Sequence, residues 1–197
     1  MNGASFRAVL LVITVTMLCG CGSSSTHKLA INSDLTGGLY GLMVSSPAFK
    51  NNSPIPERYT ADGMDISPPL KWGKGPNLTR EFAIIVEDVD AKMPGDKKGR
   101  PAIHWMLYRI PADVTELSEA ASRNMLYPQG KNYEGENTYA GPNPPPGKKP
   151  HHYYFEVFAL DTEQDWPAGA DRDTIRTTFK GHVLSKGMLI GTYQAEK

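Results

Sequence analysis

Apolar residues along the chain fall into a few dense runs separated by long polar passages rich in proline, glycine and asparagine. The clearest run, "EFAIIVEDVD" at Glu81–Asp90, is unbroken from Phe82 to Val86 and then ends on acid. A continuous run of that length, rich in β-branched residues, predicts a strand buried on both faces. "IHWMLYRIP" (Ile103–Pro111) predicts the next strand, stopped by Pro111. "HYYFEVFAL" (His152–Leu160) predicts a third, with Tyr153, Phe155, Val157 and Ala159 on one face and Tyr154, Glu156, Phe158 and Leu160 on the other. "LMVSSPAF" (Leu42–Phe49) reads as an opening strand and "MLIGTYQ" (Met188–Gln194) as a closing one. Helical periodicity is clear only in "DRDTIRTTFKGHVLSKG" (Asp171–Gly187). There Ile175, Phe179 and Val183 share a face, Asp173 suits the N-cap, and Gly187 suits the left-handed C-terminal position. "ADVTELSE" (Ala112–Glu119) reads as a helical turn.

Strands outnumber helices and do not alternate with them. The expected fold class is therefore all-β dominated, an antiparallel β-sandwich of two sheets with a few peripheral helices. The passages 51–72 and 122–151 carry no regular pattern, and long loops in a small domain are usually functional.

The first 21 residues stand apart. Arg7, the apolar stretch Ala8–Leu18 and the small residues after it have the form of an export signal. Its end, Leu18-Cys19-Gly20-Cys21, resembles the bacterial lipobox, with Cys21 the residue to be lipidated. An ordinary secretory signal with a stray cysteine pair is the alternative. The expected organisation is a lipoprotein signal peptide over 1–20, the lipidated cysteine and a flexible tether over 21–39, and one domain over 40–197. Both cysteines lie at or before position 21, so the domain can form no disulfide of its own. No aspartate follows Cys21, and by resemblance to Gram-negative sorting rules the chain belongs to a bacterial cell envelope, on the outer membrane facing the periplasm.

Lysine plus arginine and aspartate plus glutamate are 21 each. With no basic excess to release counterions from phosphates, nucleic acid is not an expected partner. A local anion site remains open.

The candidate chemistry lies where the dense runs end. Asp88 and Asp90 are two apart and share a strand face, while Glu87 points the other way. If "EDVD" ends one strand and "HW" (His104–Trp105) opens its neighbour, one of these acids comes close to His104. The loop "YAGPNPPPG" (Tyr139–Gly147) leads into His151 and Tyr153 and offers backbone N–H donors. The acids also suit simple turn caps or a glycosidase pair, although no second acid cluster offers a substrate cleft. The histidines and acids also suit a two-histidine, one-carboxylate metal site, but their spacing is not a compact metal signature. His182 reads as structural. No Gly-x-Ser-x-Gly elbow is present and no serine has an evident activating base, so the chain does not read as an enzyme.

Seven segments in order carry a resemblance: "SPPLKW" (Ser67–Trp72), Asp88–Asp90, His104–Trp105, "IPA" (Ile110–Ala112), "YAGPNPPPG", "HHYYFEVFAL" (His151–Leu160) and "GHVLSKGMLIGTY" (Gly181–Tyr193). Together they span about residues 40–195. They are similar to the phosphatidylethanolamine-binding protein family, in its bacterial branch named for similarity to the Raf kinase inhibitor protein. The resemblance implies a β-sandwich with a small anion pocket at one end. It implies that Asp88, Asp90, His104, Gly141, Pro142, His151 and Tyr153 form that pocket, with no cofactor and no metal. Val89, Lys92 and His152 depart from the family's usual proline, proline and arginine. The resemblance further implies a cis peptide at Arg100–Pro101. The function expected is a lipid-anchored envelope protein that binds a small anion such as phosphate, a phospholipid headgroup or a carboxylate. Inhibition or modulation of a protease or another protein partner is the alternative.

Overall fold

The computed structural model describes residues 29–30, 39–92, 95, 97 and 99–196. The expected signal peptide and Cys21 lie outside the described residues.

Four long strands form the centre. They are β5 (Glu81–Lys92), β6 (Pro101–Pro111), β8 (His151–Leu160) and β9 (Val183–Tyr193). They run antiparallel in the order β9-β8-β5-β6. Two short strands, β1 (Leu39–Tyr40) and β3 (Ser53–Pro54), extend this sheet by pairing parallel to β9, so the sheet is mixed rather than wholly antiparallel. A second sheet pairs β2 (Val44–Ser45), β4 (Leu70–Trp72) and β7 (Glu116–Leu117), all antiparallel.

The large sheet is covered on both faces, which explains the unbroken apolar run of β5. Phe82, Ile84 and Val86 face the small sheet and pack with Trp72, Trp105, Phe155 and Val157. Ala83 and Ile85 face the other way, among Tyr108, Phe158, Trp166, Ile175 and Phe179. This outer layer is built from the loop at 163–170 and helix α1 (Arg172–Thr178). Each large side chain buried in this way stabilises the fold by about 1.5–3 kcal/mol.

Several local expectations are corrected. The opening strand shrinks to Val44–Ser45 because the chain bends at Pro47–Ala48. In Ala112–Glu119 the turn is confined to the residues after Pro111, and Glu116–Leu117 pairs with β4 as a strand. The helix is seven residues long. Its N-cap is Asp171, whose side chain accepts the Thr174 N–H at 2.8 Å, and not Asp173. It ends before Gly181, which takes the left-handed φ of 82° assigned to Gly187. Val183, expected on the helix, instead opens β9. Its apolar side chain faces the same outer core from a strand, which is why helical spacing accommodated it.

The tether is also corrected. Leu29 and Ala30 are buried in the outer core, and the Ala30 N–H donates to Glu87 Oε2 at 2.7 Å. Glu87, completely buried, forms an ion pair with Arg172, which also donates from Nη1 to the Pro101 carbonyl at 2.9 Å. Burial pushes the Glu87 carboxyl up, and the adjoining guanidinium opposes that. Alternation thus gives neighbouring acids on β5 different tasks. Glu87 faces the outer layer, and Asp88 faces the candidate site.

Candidate functional site

Antiparallel pairing places the end of β5 beside the start of β6 and of β8. Asp88 sits opposite Ala102 on one side and Tyr153 on the other. His104 lies two residues further along β6, and His151 two residues before Tyr153 on β8. Asp88, His104, Lys92, Tyr133, Asn143 and His151 are among the described residues lining a cavity of about 220 Å³.

Asp88 is buried and its oxygens are occupied. Oδ1 accepts the N–H groups of Asp90 and Ala91 at 2.8 and 3.0 Å, fixing the turn that ends the strand. Oδ2 lies 2.8 Å from His151 Nδ1 and 4.0 Å from His104 Nε2. Asp88 therefore holds His151 directly. His104 is held by the backbone, its Nδ1 lying 2.7 Å from the Ala140 carbonyl. A carbonyl only accepts, so Nδ1 carries the hydrogen and Nε2 of the neutral ring is the free lone pair. Burial pushes the His104 pKa below its ordinary value, while the Ala140 carbonyl and Asp88 pull it up less strongly. The ring stands edge-on to Tyr153, with centroids 5.1 Å apart, and 4.9 Å from Tyr133. Among the described residues the buried Tyr153 hydroxyl finds no hydrogen-bond partner of ordinary geometry, and burial followed by the nearby Asp88 charge pushes its pKa up.

Gly141 and Pro142 form a wall behind this cluster rather than a set of open donors. The Ala140 N–H donates to the His104 carbonyl at 2.9 Å, and the Gly141 N–H to Asp65 Oδ1 at 2.6 Å. The Pro142 carbonyl accepts from Ala61 at 3.0 Å. A Cβ at position 141 would stand 2.7 Å from Asp65 Oδ1 and 2.8 Å from the Thr60 carbonyl carbon, so glycine is required by close approach. The free loop N–H groups expected from "YAGP" are thus engaged at Ala140 and Gly141.

Asp90, grouped with Asp88 on the strength of its spacing, lines an adjoining depression instead. Its Oδ2 accepts the backbone N–H of His152 and lies 2.8 Å from His152 Nδ1, in an exposed pair beside Lys148 and Lys149. His182 pairs with Asp161 at the surface, 2.9 Å away. No cis peptide bond occurs among the described residues, so Arg100–Pro101 is trans, contrary to the expectation. Pro101 enters β6 directly, opposite Lys92, with its carbonyl held by Arg172.

Three contributors escaped the sequence. Asp65 lies in the patternless passage before β4 and reaches the site only through Gly141. Tyr133 belongs to a loop marked by punctuation residues alone, and the Ala140 contribution is a backbone carbonyl, which leaves no residue-type signal.

Residues 45–194 match the family described as "Phosphatidylethanolamine-binding protein". The UPF0098 protein of Methanothermobacter thermautotrophicus is 38% identical over 151 residues, covering 75% of this chain and 95% of its own. A UPF0098 protein of Chlamydia pneumoniae is 36% identical over 153 residues, covering 78% and 99%. Among solved structures, the putative phosphatidylethanolamine-binding protein homolog CT736 of Chlamydia trachomatis superposes with a TM-score of 0.72 at 33% identity. It covers 79% of this chain and 99% of its own. E. coli YbcL, titled a new member of the mammalian PEBP family, gives a TM-score of 0.71 at 28% identity with the same coverage. With the matched region extending from the end of β2 through the end of β9, and with relatives covered almost end to end, this chain belongs to the phosphatidylethanolamine-binding protein family.

Proposed function

We propose that this member of the family is a lipid-anchored module of a bacterial cell envelope that binds a small anionic group in the cavity between His104 and His151, without catalysis. One observation carries the reading. Both imidazoles are pinned through Nδ1, His104 by a carbonyl and His151 by Asp88, which leaves Nε2 of each ring as the polar atom available to a ligand. Lys92 at the mouth adds positive charge. A phosphate, a phosphate-bearing headgroup or a carboxylate fits that chemistry, and the family's name accords with the second. The reading of Cys21 as the lipid anchor rests on the lipobox-like sequence before it.

The test is calorimetry with inorganic sulfate, a tetrahedral oxyanion that, unlike phosphate, does not itself titrate between about pH 8 and 6. Neutral His104 offers a lone pair at Nε2, so it must gain a proton to donate to an anion. Because its pKa in the empty site is lowered, affinity rises as pH falls from about 8 towards 6, by up to about tenfold per unit, with proton uptake. His104→Ala should weaken binding by about 1.5–3 kcal/mol, and Tyr153→Phe by less, since it removes one neutral hydroxyl. Affinity that is flat with pH and indifferent to His104 would overturn the reading. The anchor has its own test. Cys21→Ser should move the protein from the detergent phase to the aqueous phase or block its processing, and unchanged fractionation would remove the lipoprotein claim.

Capture of a protein partner is a second reading, favoured by Met125 and Leu126, 82% and 72% exposed. They follow Arg123 and Asn124, and Arg123 donates to the carbonyl of Met64, which is itself half-exposed. Such a surface would keep its partner when His104 is replaced.

A further inference from the structure

The far end of β5 holds a second polar cleft. Glu81 opens the strand, seven residues from Asp88, or roughly 23 Å along the backbone. It lines a cleft of about 460 Å³ with Arg80, Arg109, Glu163, Gln164 and Asp165. These residues come from three separated stretches, which is why no acidic cleft is visible in the linear sequence.

Glu81 is only 3% exposed. Its Oε2 accepts the Gln164 N–H at 3.2 Å, whereas Oε1 is buried with no hydrogen-bond donor among the described residues. A buried carboxylate oxygen without a donor is unfavourable, and it marks the place a ligand donor would fill. Arg109, across the cleft, is held at a φ of 60°, a left-handed conformation in mid-strand, next to a register shift between Phe82 and Ile84. Strained residues and bulges of this kind collect where a side chain must be aimed. The guanidinium is tied only loosely within the protein, with Nη1 lying 3.6 Å from Asp165 Oδ1 on a fully exposed side chain.

The charges select the ligand. A simple cation would meet Arg80 and Arg109, and a simple anion would meet Glu81, Glu163 and Asp165. A molecule carrying both signs satisfies both walls. We propose that this cleft is a binding site for a small zwitterion, with its ammonium group donating to Glu81 and its anionic group held by Arg109 and Arg80.

The site has a pH signature. Burial pushes the Glu81 carboxyl up to about 7, with the Gln164 N–H and Arg109 pulling it down and Glu163 pushing it up. Arg80 and Asp165 are the other charges at the cleft. An ammonium group binds the ionised form, so affinity should rise about tenfold from pH 6 to 8 as Glu81 loses its proton, and then level off. This is the reverse of the trend expected at His104, so the two sites are separable in one titration.

The experiment is a nitrogen–proton NMR titration of the full chain with β-alanine, using ethylamine and propionate as single-charge controls. The expected result is shifts at the amides of Glu81, Arg109 and Gln164, with affinity increasing with pH and each control weaker by about tenfold or more. Glu81→Gln should abolish the response, and the same spectrum shows whether that variant is folded. Arg109→Gln, at an exposed position, should weaken β-alanine to the level of ethylamine. Silence at these amides up to about 50 mM β-alanine, an undiminished response in a folded Glu81→Gln variant, or affinity that falls with pH would each overturn the proposal.

Discussion

Arg172→Ala should lower the stability of the domain by about 3–5 kcal/mol, the cost of stranding a buried charge. Glu87 has no contact with solvent, and its carboxylate relies on the Arg172 guanidinium and on the Ala30 N–H. The alanine variant removes the positive partner and also the bond to the Pro101 carbonyl at the start of β6. For a domain of this size the loss corresponds to a melting point lower by about 6–20 °C. Adding Glu87→Gln should restore part of the loss, because a neutral amide needs no counter-charge. A loss below about 1 kcal/mol, or a double variant no better than the single, would show that neighbouring basic residues carry the pairing instead.

Gly187→Ala should cost about 3 kcal/mol, at the upper end of the usual range for overpacking. Gly187 lies in β9 opposite Val157, and a Cβ there would fall 1.9 Å from the Leu42 carbonyl oxygen and 2.8 Å from its carbon. The obstacle is backbone, which cannot rotate aside as a side chain can. Either β9 or the segment leading to β2 must shift, and the Gly41 and Leu42 N–H bonds to the Lys186 carbonyl lie in the way. Denaturant unfolding measures the loss. A variant as stable as the parent would mean that the Leu42 segment yields freely and contributes little to holding the sheets together.

The difference between what the chain shows and what it hides follows from the range of each interaction. β5 and β8 are legible because both faces of the sheet are buried, so period and composition point the same way from Phe82 to Val86 and from Phe155 to Leu160. Of the short strands, Val44–Ser45 is legible only within a longer run and Glu116–Leu117 not at all, since both are defined by pairing with β4. In the candidate site, Asp88, His104 and His151 announce themselves as residue types at strand ends. Their roles do not, because the choice of Asp88 for His151 and of the Ala140 carbonyl for His104 is set by pairing register. Asp90 shares the face of Asp88 by spacing, but the turn that Asp88 itself holds sends it outward to His152.

The docking of Leu29 and Ala30 sets a length. Under the proposed acylation of Cys21, seven residues of sequence, 22–28, separate the lipid from the docked pair. Fully extended, seven residues reach roughly 25 Å. The docked pair ties to Glu87, next to Asp88 along β5 but on the other face of the sheet. A single lipid headgroup sharing a hemisphere of that radius is present at a local concentration on the order of tens of millimolar. Under the proposed anchoring, a millimolar affinity, negligible for a dilute free anion, would still keep the cavity largely occupied by headgroups of the anchoring membrane.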